Sequence, residues 1–298
     1  MHHLNRAALA IALAAAMGLS GCIESKDSGL DEGAAGGDDE PVRSIDMGGC
    51  PDSGSLGSAL PLSTVLVEAG SFIMGNDADP DASPAHNVTL SSGFLMSITE
   101  VTQGQWEELG FDNPSQHDTC VDCPVEQVTW HEAAAYAEAL SAADGLAGCY
   151  SCTGVGADTS CTAPDNPYAC AGWRLPTAAE WEHAAGVDST LWAGSDDFAA
   201  VAWTAEAVGK PCPVGTLSPT SSGLYDLSGN VSEWVNDGYG AYTADDVVDP
   251  VAEDSTTRVV RGGSIFQVAG QAEVTAREGR ADTEAVPWRG FRLVRPQD

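Results

Sequence analysis

The chain has 298 residues, and 44 acidic side chains against 12 basic ones give it a formal net charge of −32. That balance excludes nucleic acid and anionic lipid headgroups as binding partners, since both are held through cationic contacts. It suits solubility on a cell surface, and it leaves room for carboxylates that hold divalent cations.

At the amino terminus, Arg6 and two histidines precede an apolar run from Ala7 to Leu19 that is too short to span a bilayer as a helix. Residues 1–21 therefore read as a signal peptide. The run ends in Leu19-Ser20-Gly21-Cys22, which resembles the lipobox of bacterial lipoproteins, and the resemblance implies lipid on Cys22 after cleavage. Ile23 rather than Asp after that cysteine resembles the pattern released to an outer membrane. The expected location is the cell envelope, lipid-anchored at the outer membrane on its periplasmic or surface face. Residues 22–60 are rich in Gly, Asp, Glu and Ser and poor in large apolar groups. They cannot offset their ordering entropy and are expected to form a flexible stalk, with the globular domain over 61–298.

Within that domain, short apolar runs alternate with Gly, Pro and Asn, and no repeat of fixed period occurs. Strands are expected at Thr64–Val67, Phe72–Met74, Asn87–Leu90, Arg258–Arg261 and Phe291–Val294. Two helices are expected. The first runs from Thr129 to Ala143, with Trp130, Ala133, Tyr136, Ala137 and Leu140 at helical spacing, Thr129 as N-cap and Glu132 three residues on. The second opens at Thr177 with Glu180 three residues later, followed by Trp181 and Ala184. Two helices, scattered strands and long loops indicate an α+β domain whose binding surface is built from loops.

Setting Cys22 aside, eight cysteines remain, at Cys50, Cys120, Cys123, Cys149, Cys152, Cys161, Cys170 and Cys212. An even number outside the cytoplasm reads as disulfides, whose pairing cannot be deduced from sequence. Cys120-x-x-Cys123 and Cys149-x-x-Cys152 also look like halves of a Cys₄ zinc site, but the 25 residues between them exceed the usual spacing and contain the first helix. A thioredoxin-like role for Cys120 and Cys123 lacks the strand that should lead into a helix opening at the CxxC. Asp77-x-Asp79-x-Asp81 starts like an EF-hand loop, yet Ala82 stands at the Gly position and Val88 at that of the bidentate Glu. There is no G-x-S-x-G elbow, H-E-x-x-H or phosphate loop, and His86, His117, His131 and His183 read as hydrogen-bonded structural residues.

A series of local patterns then occurs in a telling order. Phe72-Ile73-Met74-Gly75 is followed by Pro84-Ala85-His86-Asn87-Val88-Thr89-Leu90 and by Thr99-Glu100-Val101-Thr102-Gln103-Gly104-Gln105-Trp106. Next come Pro124-Val125-Glu126-Gln127-Val128-Thr129-Trp130 and Gly172-Trp173-Arg174-Leu175-Pro176-Thr177-Ala178-Ala179-Glu180-Trp181. The series closes with Gly223-Leu224-Tyr225-Asp226-Leu227-Ser228-Gly229-Asn230-Val231-Ser232-Glu233-Trp234, Arg261-Gly262-Gly263-Ser264 and Gly290-Phe291-Arg292. Over nearly all of residues 62–295 this resembles the formylglycine-generating enzyme, or sulfatase-modifying factor, family. The resemblance implies that family's loop-rich C-type-lectin-like fold. It also implies a reaction in which copper held by two cysteines uses O₂ to convert a sulfatase cysteine to formylglycine, since soft thiolates select Cu(I).

The positions that resemblance assigns to the copper cysteines are Gln267 and Ala272, while Ser264 before them and Arg280 after them are retained. No cysteine follows Cys212, and Ser232 replaces a Trp that active members often carry, so copper is not expected. The family's structural calcium site maps onto side chains of Asp226 and Glu233 and carbonyls of Gly229 and Val231, hard oxygen donors of the kind Ca²⁺ prefers. Arg174, Glu180, Trp181 and Trp234 read as framework. The expectation is a lipid-anchored binding or assembly module without oxidase activity, acting on an unidentified protein or glycan at the cell surface. The alternative is a formylglycine-generating oxidase, which would need free thiols near Ser264. Iron-dependent sulfoxide synthases share the fold, but the histidine-rich partner domain they would need is not seen in the sequence.

Overall fold

In the computed structural model, which describes residues 49–51, 59–203, 208–253 and 255–297, regular structure begins with Thr64–Val67 (β1), Gly70–Met74 (β2), His86–Leu90 (β3) and Phe94–Ser97 (β4). β3 shows how alternation sets a face: His86, Val88 and Leu90 are buried while Asn87 is exposed. The expected signal peptide, the lipid site at Cys22 and most of the 22–60 stalk lie outside the described residues. Cys50, assigned to the stalk from sequence, is bonded to Cys212, so the far end of that segment is fixed to the domain.

Helices come next. Gln103–Glu108 (α1) and Trp130–Ala143 (α2) precede a short hairpin of Ser151–Thr153 (β5) and Ser160–Thr162 (β6); Ala178–Ala185 (α3) and the single turn Phe198–Val201 (α4) follow. The two expected helices start where their capping boxes place them. Thr129 accepts from the Glu132 N–H and Thr177 from the Glu180 N–H, and each glutamate reaches back to the cap N–H. The expectation of two helices is corrected to four among the described residues. α1 carries the same device, with Thr102 capping and Gln105 returning the bond, but its six residues bury Trp106 without a repeating apolar stripe.

The remaining strands are Ser232–Gly238 (β7), Val247–Val248 (β8), Thr257–Arg261 (β9), Arg277–Ala281 (β10), Arg289–Phe291 (β11) and Val294–Pro296 (β12). They build a four-stranded sheet in the order β10-β9-β7-β11, in which β11 runs parallel to β7 and the other pairs are antiparallel. Two three-stranded sheets, β1-β4-β12 and β2-β3-β8, flank it in sequence. The expected strand Phe291–Val294 is split. Arg292 and Leu293 carry the chain from pairing with β7 to pairing with β4, and the Arg292 side chain turns inward on the way.

One apolar cluster gathers around α2, where Trp106 stacks on Tyr136 at 5.3 Å and both meet Phe291 edge-on. Another gathers around α3 and includes Trp181, Met96 and Leu224. All eight expected disulfide cysteines are paired, as Cys50–Cys212, Cys120–Cys123, Cys149–Cys170 and Cys152–Cys161, which removes the zinc alternative. No helix among the described residues is long and apolar enough to cross a membrane.

Candidate functional site

β7 is buried at every position although its sequence, Ser-Glu-Trp-Val-Asn-Asp-Gly, is mostly polar. Each polar side chain finds a partner inside. Both Glu233 carboxylate oxygens accept from the Arg292 guanidinium, at 2.9 Å from Nε, and Oε2 also accepts from the Trp181 indole at 2.7 Å. Arg292 spends its other donors on backbone carbonyls, Tyr225 O at 2.7 Å and Ser97 O at 3.2 Å. Asp237 caps the start of α3 by accepting from Ala178 N–H at 2.9 Å. The expected framework residues do what their types suggest. Arg174 and Glu180 form a two-pronged pair at 2.6 and 2.7 Å, and the Trp234 indole donates to Val128 O at 3.0 Å.

The loop entering β7 is the one matched to calcium. Asp226, Gly229 and Asn230 adopt positive φ values of 58°, 90° and 53°, which coil the chain tightly. Asp226 Oδ2 accepts from Gly215 N–H at 2.6 Å. Glu100, a residue sequence reasoning passed over, stands beside it: the side chain is buried, and Oε2 has no hydrogen-bond partner. Burial, with the Asp226 charge next to it, holds the Glu100 carboxyl well above the ordinary carboxylate range. Burial likewise pushes Asp226 up to about 6, against the lowering effect of the Gly215 bond. Three carboxylates thus interact with one guanidinium, that of Arg292. Among the described residues no group of three or more His, Cys, Asp or Glu side chains stands ready to hold a metal. Glu233 is committed to Arg292 and Trp181, so a cation here would be met by Asp226, the orphaned Glu100 oxygen and backbone carbonyls. Those donors suit calcium; Glu233 as the fourth expected ligand does not fit as it stands.

After β9 the Arg-Gly-Gly-Ser turn leads to the positions matched to copper. Gly263 has φ 64°, and a Cβ there would lie 2.9 Å from the backbone of Ala272, so the turn packs directly against that residue. Ala272 is buried and offers only its carbonyl, which accepts from Ser228. Gln267 and Gln271 both donate to Glu278 Oε1, and Arg280 donates to Glu278 Oε2 at 2.9 Å. A neutral amide and a salt bridge therefore stand around the positions that the family resemblance assigns to a thiolate pair. Ser264 Oγ is buried without a partner. The nearby Cys212 packs with Ile265 but is oxidised to Cys50. The four histidines sit apart: His86 Nδ1 meets Pro84 O, His183 Nε2 meets Glu68 O, His131 faces Asp282 at 3.4 Å, and the His117 backbone N–H is held by Glu126.

A loop-rich α+β domain built on a buried Glu-Trp strand, an inward arginine from its last turn and an Arg-Gly-Gly-Ser corner defines the C-type-lectin-like scaffold of formylglycine-generating enzymes. Residues 58–297 match the "Sulfatase-modifying factor enzyme 1-like domain", and the chain belongs to that family. It is similar to "Chaperone protein LppX" of Paenibacillus barcinonensis, 32% identical over 267 residues that cover 78% of this chain and 88% of the relative. It is also similar to a formylglycine-generating enzyme of Streptomyces coelicolor, 30% identical over 151 residues that make up 43% of this chain and 48% of that enzyme. Among solved structures, Treponema denticola variable protein 1 superposes with a TM-score of 0.72 at 28% identity, covering 80% of this chain and 96% of the other.

Proposed function

We propose that this sulfatase-modifying-factor domain is a lipid-anchored binding or assembly module of the cell envelope that acts on another exported protein or on a surface glycan, without formylglycine-generating activity. One observation carries the reading: Gln267 and Ala272 stand where the family resemblance puts the copper cysteines, and every described cysteine lies in a disulfide. Copper(I) chemistry of this kind needs thiolates, and an amide bonded to Glu278 beside a buried methyl group supplies none. Likeness to a protein named as a chaperone favours a role toward other polypeptides. The lipobox-like Leu19-Ser20-Gly21-Cys22 supports lipid on Cys22 and placement at the outer membrane. The loop of Asp226, Gly229 and Val231, joined by Glu100, supports structural calcium.

The likeness to formylglycine-generating enzymes favours the oxidase as second reading. The full chain is incubated with a Cys-x-Pro-x-Arg sulfatase peptide, Cu(I) and O₂ beside an active family member, and aldehyde is read by mass spectrometry. No aldehyde, with the control turning over, is the expected result. Aldehyde from this chain would overturn the non-oxidase reading.

A further inference from the structure

The Cys120–Cys123 bridge spans three residues in sequence, and the backbone around it is fixed by other means. Gln103 N–H donates to Cys123 O and Gly104 N–H to Val121 O, both at 2.9 Å, so the start of α1 clamps the loop from one side. From the other side Val214 N–H donates to Asp122 O at 2.9 Å, and Thr102 bridges to Pro124. A cross-link that closes so short a loop removes little entropy from the unfolded chain. By loop length it is the weakest staple of the four.

Its two sulfurs are placed unequally. Cys120 is partly buried, whereas Cys123 is 3% exposed and lies 3.6 Å from the carbonyl oxygen of Pro211. Both cysteines line a surface cleft of about 190 Å³ together with His117, Asp118, Lys210 and Pro211. The chain has two lysines, Lys26 and Lys210, and the described one stands at this cleft. Lys210 brings a cation to the cleft in a chain short of cations, with Asp118 in the cleft and Asp122 within the loop opposing it. A cysteine reached from a surface cleft, a sheltered partner and an ammonium in the same cleft suit disulfide exchange, because the attacking and leaving species are thiolates. None of this depends on a thioredoxin fold.

We propose that Cys120–Cys123 is a dithiol–disulfide exchange site that passes its disulfide to a dithiol of an exported polypeptide. A thiolate of the polypeptide attacks Cys120 Sγ; the Cys120–Cys123 bond breaks, and Cys123 leaves with the electron pair and takes up a proton, its thiol then facing Pro211 O. The second thiolate of the polypeptide attacks its own sulfur in the mixed disulfide and expels Cys120 as thiolate. The polypeptide loses two electrons and gains a disulfide; the chain gains both electrons and holds two thiols. A low-molecular-weight disulfide reverses the change by the same two exchanges. The substrate class rests on the reading that the domain acts on exported polypeptides, but the sulfur chemistry is tested on a model dithiol, so each can fail alone.

The full chain is titrated with dithiothreitol under native conditions, alkylated and mapped by mass spectrometry. The expected result is alkylation of Cys120 and Cys123 at reductant levels that leave the other three bridges closed and the circular dichroism unchanged. In the oxidised state the chain converts a reduced Cys-x-x-Cys peptide to its disulfide with a yield of one equivalent; Cys120→Ser loses the transfer, and Cys123→Ser, charged through Cys120 as a mixed disulfide with a single-cysteine peptide, holds that peptide until an external thiol is added. Lys210→Met shifts the midpoint of the rate's pH profile upward. Opening of Cys120–Cys123 no earlier than the other bridges, or opening without transfer to the peptide, would overturn the proposal.

Discussion

Around α3, irregular chain is held by guanidinium groups; between Asp118 and Cys170 it is held by sulfur. Arg261 pairs with Glu182 and also donates to Ala276 O and Ala178 O, and Arg292 pairs with Glu233 while gathering the carbonyls of Tyr225 and Ser97. Residues 118–170 contain no lysine or arginine and carry six cysteines instead. The difference follows from where each kind of bond works. A buried arginine offers five donors to carbonyls that have no sheet neighbour, but its charge must be matched by a carboxylate in the same dry place. A loop at the surface has no such enclosure, and a cross-link that acts mainly by restricting the unfolded chain does not need one.

The contrast is sharpest at Cys50–Cys212, which closes the longest loop, with a sequence separation of 162. Replacing both cysteines by serine is expected to lower stability by about 5 kcal/mol, against about 2 kcal/mol for the same change at Cys120 and Cys123. Denaturant unfolding of the two double variants checks the ranking, and equal losses would break the loop-length account. On the guanidinium side, Arg292→Met leaves Glu233 charged and buried and is expected to cost about 3 to 5 kcal/mol. In a domain of this size that lowers Tm by roughly 10 °C. Adding Glu233→Gln to Arg292→Met should recover part of that loss, because the stranded charge goes with it; additive losses would show that the pair is not the unit that matters.

A ligand tests the surplus carboxylates. Calcium at one hundred times its dissociation constant is expected to stabilise the chain by about 2.7 kcal/mol over the same chain in chelator, read as a rise in Tm. Asp226→Asn should weaken that rise. An identical Tm with calcium and with chelator would leave Glu100 and Asp226 as a buried acidic pair that folding tolerates unassisted.

Reading the sequence found elements whose signal is local. The capping boxes at Thr129 and Thr177 set two helix starts, and the alternation in Asn87–Leu90 set a strand. β7 escaped because burial of Glu233 and Asp237 depends on Arg292, Ala178 and Ala252, none of them near in sequence. α1 could have been found from Thr102-Gln103-Gly104-Gln105, a capping box with Gln in the returning position. The motif order was legible enough to give the family. Glu100 beside Asp226, and Lys210 in one cleft with Cys120, were not: each meeting joins segments about ninety or more residues apart, and no period or motif encodes it.

The sheet β1-β4-β12 joins Thr64–Val67 to Val294–Pro296 through β4. β1 meets β4 early, but a chain made from its amino terminus keeps the other edge of β4 unpaired until the far end of the domain is available. Glu233 likewise has no guanidinium partner until Arg292 is made. Topology of this kind makes folding a late and nearly simultaneous event, slow by the measure of contact order. A ribosome stalled short of Arg292 would present aromatic residues and unpaired carboxylates together, a nascent form far more adhesive than the acidic surface of the finished domain.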